Sequence, residues 1–520
     1  MKMMVSVIMV MIGMVAGVWA APLKVGDVVL HQDFEGADAV QGWGPPIAVE
    51  PGFQGGHAMA FANSAQPGVP MIANFALDPV PLRGYLLRLS CKVKAENVSA
   101  KPQPWNGIKF MLPMVADGAK MYPQAEIGVG SFDWREFAFD VRVPPMVTDV
   151  RLYMGLEAVT GKVWFDDLTI TVRKAPFVPA PAVTSGKMYT GHQVPRLRGA
   201  MISPGIDEAG LRTFGQEWNA NVIRWQLIGW DPKGKPTGAA GLAAWDEWLQ
   251  GELKKLDAAL PLCRKYGLQV VVDLHSPPAG AGDPGPSMFN SPECQAKFIE
   301  AWQRMARKYR GEKVVWGYDL VNEPIDNGTA EGCLYWQELA EKTAAAVRAI
   351  DPEHAIIVEC ADGDNPYGFA AFNPIKVAGV VYSVHMYLPH TFTHQGVFDD
   401  WATKWMYPGV IDGVQWDKAQ IERALAPVID FQKRYHVQIY VGEFSAIRWA
   451  PKGSAARYLR DCIEVFEEHG WDWSYHAFRE WSGWSVEHGE DRGDGEAAKV
   501  ETERAKLLKG WYAKNEKERW

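Results

Sequence analysis

The chain has 520 residues, more than one compact core holds, so two or more domains are expected. Hydrophobic residues make up 48%, which excludes a disordered chain. The net charge of −9 argues against nucleic acid as a partner, because phosphate binding needs a basic surface.

Residues 1–20, MKMMVSVIMVMIGMVAGVWA, carry one lysine ahead of a Val, Ile and Met run, with small residues before a cleavage point after Ala20. This reads as a secretory signal peptide and predicts a secreted or periplasmic protein with no membrane span once it is removed. Six cysteines (91, 263, 294, 333, 360 and 462) show no CxxC or regular spacing, so neither a disulfide framework nor a zinc site is indicated. Cys263, Cys333 and Cys462 lie in helical patterns as small core residues, and a single bridge stays possible.

From 21 to 173 the pattern alternates with period two. Runs at 28–35, 85–95, 107–115, 134–143, 149–156 and 161–172 are separated by Gly, Pro and Asn turns, which predicts an all-β sandwich. The terminal strand GKVWFDDLTITV (161–172), paired with an opening strand ending in DFE, resembles the jelly-roll carbohydrate-binding modules attached to polysaccharide-degrading enzymes. The resemblance implies sugar-binding aromatics, with Trp43 and Trp105 as candidates and Trp164 as core. A spacer domain with no sugar contact is the alternative. Residues 174–195, rich in proline and without hydrophobic periodicity, read as a partly extended linker.

From 196 to 520 apolar runs alternate with helical patterns. Eight runs, at 197–203, 221–227, 268–275, 314–324, 355–360, 380–389, 437–444 and 471–478, predict a (β/α)8 TIM barrel. Helical patterns at 244–267, 294–311, 333–351 and 455–470 separate several of them. Such a barrel gathers its chemistry at the C-terminal ends of its strands. Those positions hold Arg224, His275, Asn322, Glu323, His385, Tyr387 and Glu443. A carboxylate ending a buried apolar run is costly unless it is paired or used, and two carboxylates across one bond are what glycoside hydrolysis needs.

The strings NVIRWQ, VVVDLH, VNEP, HMY and VGEF, in that order over about residues 196–485, resemble the family 5 glycoside hydrolases, the cellulase and mannanase family. The resemblance implies two-step retaining hydrolysis, with Glu443 as nucleophile and Glu323 as general acid and then base. Glu323 is expected to owe a raised pKa to burial and to its partner's charge. Arg224 and Tyr387 would hold Glu443 ionised, Asn322 would bind the sugar 2-hydroxyl, and His275 and His385 would bind hydroxyls or orient the acid. The family also presents a strand-eight tryptophan as the floor of the cleavage subsite. In WDWSYHAFREWSGWS (471–485) the aromatics are offset from that pattern. Trp481 is the candidate, with Tyr475, His476 and Phe478 as competitors and Trp471 and Trp473 as core.

There are 23 tryptophans, 18 of them beyond residue 200, which suits either a Trp-rich core or a cleft with aromatic platforms. Trp401, Trp405 and Tyr407, in the long segment after the sixth run, are further candidates for stacking on sugar or for packing that segment down. The expected activity is a secreted β-1,4-glucanase acting as a monomer on a polysaccharide or oligosaccharide. The alternatives are a β-mannan- or xyloglucan-active enzyme and a non-catalytic glycan-binding protein. No metal or cofactor is expected, because HxH and HExxH are absent; a metal-dependent barrel using Asp273, His275, His385 and His390 is the weaker alternative.

Overall fold

The computed structural model describes residues 22–36, 38–45, 47–64, 70–116, 118–231, 235, 238–278, 288–397 and 404–520. The signal-like segment and Trp401 lie outside them. The chain forms two compact units that meet between Val178 and Pro179, inside the proline-rich segment.

The first unit is all antiparallel β, in two sheets. One sheet joins Val28–Gln32, Ala48–Pro51, His57–Asn63, Leu86–Val98, Gly130–Arg142 and Gly161–Lys174. The other joins Met71–Leu77, Gly107–Met111, Met114–Ala116, Ala119–Met121 and Val147–Glu157. Leu87, Leu89, Cys91 and Val93 alternate inward against Val150, Leu152 and Met154, the period-two burial that the sequence pattern requires. The strands at 48–51, 57–63, 71–77 and 119–121 were not apparent from the sequence. His57–Asn63, HAMAFAN, shows why: it is buried at four consecutive residues and does not alternate. Trp43 is a correction. It is buried in this core and donates to Gln32 Oε1 at 2.6 Å, so it offers no ring to a ligand, whereas Trp105 is 60% exposed. Trp164 is buried as expected, but with Ala58 and Ala60 in a small cluster apart from the main core.

The second unit is a closed parallel barrel of eight strands, in chain order Arg198–Ile202, Val222–Gln226, Gln269–Asp273, Val315–Asp319, Ala355–Glu359, Val380–Met386, Ile439–Phe444 and Asp472–Phe478. Each falls within a run read from the sequence. Gly238–Tyr266, Pro292–Tyr309, Trp336–Arg348 and Ser454–Glu468 are helices around it. Ser291 caps the second of these by accepting from Cys294 N, with Pro292 following the cap, where its missing N–H costs nothing. Ten tryptophans of this unit (218, 225, 245, 302, 316, 336, 416, 471, 473 and 484) are buried, more than half of the eighteen beyond residue 200, so the tryptophan excess is mainly core rather than cleft. Cys91, Cys263, Cys294, Cys360 and Cys462 are free thiols, all buried. Among the described residues no helix is long and apolar enough to cross a membrane.

The segment before the first barrel strand has no regular structure but is pinned. His192 Nε2 lies 3.1 Å from Asp472 Oδ2, both buried, and Asp472 also accepts from Leu197 N and Gln438 Nε2. Burial opposes the charge on His192, but Asp472 outweighs it and raises the imidazole's pKa. The stability from this contact is therefore complete below the unfolded value of about 6.5 and is lost as pH rises through the folded one. His192→Gln is expected to lower stability by about 1.5–3 kcal/mol at pH 6 and by clearly less at pH 9, read from urea unfolding at the two pH values.

Candidate active site

Arg224 leaves the second strand and ends, with none of its side chain exposed, among four carboxylates. Nη1 donates to Glu443 Oε1 at 2.6 Å, Nε to Asp319 Oδ2 at 2.9 Å and Nη2 to Glu359 Oε1 at 2.9 Å, and Nη2 lies 3.2 Å from Asp273 Oδ1. The planar guanidinium is the one cation whose fork reaches partners from four strands at once. Both Nη atoms also donate to Asn322 Oδ1, at 3.2 and 3.1 Å, which leaves the amide NH2 as the end available to a ligand.

Glu443 ends the seventh strand beside the sixth, where the register shifts between Val384 and His385 and brings His385 opposite Glu443. The residue before it must be glycine: a Cβ on Gly442 would stand 2.7 Å from Ser383 Oγ and 2.8 Å from His385 Nε2. Tyr387 donates its hydroxyl to Glu443 Oε2 at 2.8 Å. Burial alone would raise the pKa of Glu443, but the charges of His385, His476 and Arg224 hold it well below the ordinary carboxylate value. Glu443 is thus an ionised, buried carboxylate.

Glu323 follows the fourth strand with a left-handed φ of 45°, a strained conformation for a side-chain-bearing residue. Its backbone N–H donates to Glu359 Oε2 at 2.6 Å, which fixes the turn to the fifth strand. The expected burial is absent: the Glu323 side chain is 41% exposed at the wall of the cleft. His385 Nδ1 lies 2.9 Å from Glu323 Oε1. Burial works against charge on His385, but Glu359, Glu443 and the contact with Glu323 outweigh it and raise its pKa well above the ordinary value. One oxygen of Glu323 and one of Glu443 lie within 4.8 Å of each other.

His275 lies at the rim, with Nδ1 held by Asp273 Oδ2 at 2.8 Å. Glu323, Glu443, His275, Asn322, His385 and Tyr387 all line one cavity of about 550 Å³. Arg224 stands behind it, acting through Glu443 and Asn322. Trp481 is a correction. It does not line this cavity; it is 41% exposed and stands edge-on to Trp449 and Trp484. Of the competitors, Tyr475 and Phe478 are buried in the core, and His476 faces the cavity. Tyr407 is fully buried with its hydroxyl on Asp461, and Trp405 packs partly buried against the core, so both hold their segment on the barrel. His390, from the metal alternative, is stacked on His394 at 3.8 Å between ring centres.

Four residues carry weight here that the sequence reading passed over. Asp319 and Glu359 end apolar runs just as Glu443 does, so the same rule applied to WGYD and AIIVE would have flagged them. Asp364 and Glu480 follow strands in loops and carry no such signal. Burial, and after it the neighbouring carboxylates, raise the pKa of Asp319 and of Asp364 well above the ordinary value, against the pull of Arg224 on Asp319 and of His385 on Asp364.

A closed eight-stranded barrel whose fourth and seventh strands deliver paired glutamates to a polar cavity is the framework of a glycoside hydrolase. The model of the cellulase family, glycosyl hydrolase family 5, matches residues 189–482, more than half of the chain, and the chain belongs to that family. It is 25% identical over 260 residues to Endoglucanase C of Acetivibrio thermocellus, covering 44% of this chain and 74% of that protein. It is 27% identical over 226 residues to Cellodextrinase A of Ruminococcus flavefaciens, covering 42% and 64%. A crystal structure of a glycoside hydrolase aligns with 61% of this chain and 99% of its own, at 23% identity and a TM-score of 0.49.

Proposed function

We propose that the protein is a secreted, retaining β-1,4-glucanase in which Glu443 attacks the anomeric carbon and Glu323 exchanges the proton. The observation that carries this reading is the separation of the two carboxylates, whose nearest oxygens lie within 4.8 Å. Retaining enzymes place their carboxyl groups about 5–5.5 Å apart, whereas inverting ones need roughly 6.5–9.5 Å to admit a water. The asymmetry of environment supports the roles. Glu443 is buried against Arg224, Tyr387 and charged His385, which suits an anionic nucleophile. Glu323 faces the cleft, where its exposed side chain can meet the leaving oxygen of a bound sugar. His385 then sits where it can orient Glu323, and the Asn322 NH2 is placed for a hydroxyl next to the reacting carbon.

A β-1,4-glucan as substrate is supported by the names of the relatives, an endoglucanase and a cellodextrinase; β-mannan and xyloglucan are the alternatives within the family. Secretion rests on the character of residues 1–20. The test is proton NMR of cellotetraose and mannotetraose digests: retention releases the β-anomer first. An α-anomer first product would overturn the retaining mechanism, and no release from any soluble β-glucan or β-mannan would overturn the substrate class.

The first unit, on this reading, holds the enzyme on its polymer through Trp105. The residue is anchored through its backbone: the Trp105 carbonyl accepts from Lys109 Nζ, which pairs with Glu157 (2.8 Å), and Glu157 also accepts from Asn106 Nδ2 (3.2 Å). Flat rings of this kind stack on apolar sugar faces. Trp105→Ala in the full chain is expected to reduce retention on insoluble cellulose while leaving the rate on a soluble substrate unchanged; equal retention would assign the unit a spacer role.

A further inference from the structure

The eighth strand delivers an ionisable group to the place where an apolar ring was expected. His476 Nδ1 lies 3.3 Å from Glu443 Oε2 and also bonds the Tyr387 hydroxyl. On its other side, Nε2 lies 3.5 Å from Glu480 Oε1, an ion-pair distance. Glu480 is oriented by Gln226, whose Nε2 donates to its second oxygen at 2.8 Å. The imidazole rests against Trp484, with ring centres 5.6 Å apart and planes at 33°. The three groups form a row along the cavity: carboxylate, imidazole, carboxylate.

We propose that His476 and Glu480 are positioning residues that act through Glu443. The imidazolium supports the nucleophile's charge, and Glu480 keeps the imidazole protonated while Glu443 is esterified. The proposal rests on the reading of Glu443 as nucleophile. A neutral imidazole in this row would turn a lone pair toward one of the two carboxylates, so only the doubly protonated ring presents a cation to both Glu443, at 3.3 Å, and Glu480, at 3.5 Å. Charge on His476 is opposed by burial, but Glu443 and Glu480 outweigh it and raise the pKa to about 9. The other titratable groups packed around it are Tyr387 and His394. Burial, then His390 and His476, pushes His394 down to about 3, so it is neutral at working pH.

The consequence appears in the second half of the reaction. In the first step the Glu443 oxygen forms a bond to the anomeric carbon, the glycosidic C–O bond breaks, and the leaving oxygen takes the proton of Glu323. Glu443 then carries no charge, and an imidazole facing it alone would lose much of its reason to stay protonated. Glu480 remains ionised beside His476. When water attacks, giving its proton to Glu323, Glu443 leaves as a carboxylate into a site where the cation is already in place.

A substrate with a leaving group that needs no acid makes the second step rate-limiting, and 2,4-dinitrophenyl β-cellobioside is the probe. In that step Glu323 works as base, so the alkaline limb of kcat reports proton loss from the cationic groups beside Glu443, and the part of it that moves in Glu480→Gln belongs to His476. Glu480→Gln is expected to leave the burst of dinitrophenolate intact, lower kcat about tenfold, and move the alkaline limb down by about one pH unit. Glu480→Asp is expected to recover part of both. The second measurement needs no turnover: NMR titration of the His476 ring, assigned with His476→Gln, is expected near the raised value in the unmodified protein and lower in Glu480→Gln. Titration of His476 near its ordinary value of about 6.5 would overturn the proposal. So would a titration and alkaline limb unmoved by Glu480→Gln. If the unmodified protein releases no dinitrophenolate, the glycosidase reading fails, and the titration by itself still supports or overturns the charged pair.

Discussion

Glu443→Ala is expected to reduce turnover by at least about 10⁴-fold, since removing a covalent nucleophile leaves only binding and the remaining dipoles to act. The loss should be partly recovered by sodium azide. The vacated carboxylate leaves space beside the anomeric carbon, and azide entering from that side yields the α-glycosyl azide. Glu323→Ala is the complement. It is expected to cost about 10²–10⁴-fold on natural leaving groups, but little in the first step with a dinitrophenyl leaving group that departs unprotonated. Azide added to this variant intercepts the covalent intermediate and gives the β-azide. NMR of the two azide products distinguishes the roles; the opposite pairing of variant and anomer would exchange the assignments of Glu323 and Glu443.

The second large effect is on stability. Arg224→Met is expected to destabilise the barrel by about 3–5 kcal/mol, because it leaves Asp273, Asp319, Glu359 and Glu443 buried without their shared cation. Arg224→Lys should recover little of this. An ammonium keeps the charge but lacks the planar fork that reaches four carboxylates from one position. The pH dependence has a definite sign. Without Arg224, Asp319 rises further above the ordinary carboxylate value and Glu443 loses part of what holds it down, so protons stabilise the folded variant. The deficit in the Met variant should narrow as pH falls toward about 5 and widen toward pH 8, read from urea unfolding followed by tryptophan fluorescence. A deficit independent of pH would mean that the loss is one of packing rather than of charge.

The destabilisation and the chemistry share a cause. Arg224 is affordable in the barrel interior only because carboxylates surround it, and Glu443 stays ionised there in part because Arg224 does. Glu359 ties this core to the acid by accepting both from Arg224 and from the backbone of Glu323. The left-handed turn at Glu323 is held by a carboxylate on the next strand rather than by its own preference.

Much of the fold was legible in the chain. Each of the eight barrel strands falls within an apolar run, because a strand covered on both faces must be apolar throughout. The strand-end glutamates stood out for the same reason: charge at the end of such a run demands a partner. The first unit was read less completely. Its short strands at 48–51 and 119–121 lack an alternation long enough to register, and Trp43 lies outside the strong patterns, so nothing local separates a buried ring from an exposed one.

What the sequence by itself determined was the alternation of elements, and with it the end of the barrel at which Glu323, Glu443 and their neighbours gather. Those follow from periodicity, a property of residues close along the chain. Only the tertiary structure decided how the charges pair. Arg224 meets carboxylates from four other strands, and His476 rather than Trp481 reaches the nucleophile. The reason is that an ion pair depends on distances between side chains far apart in sequence, set by barrel closure and register and expressed in no local pattern.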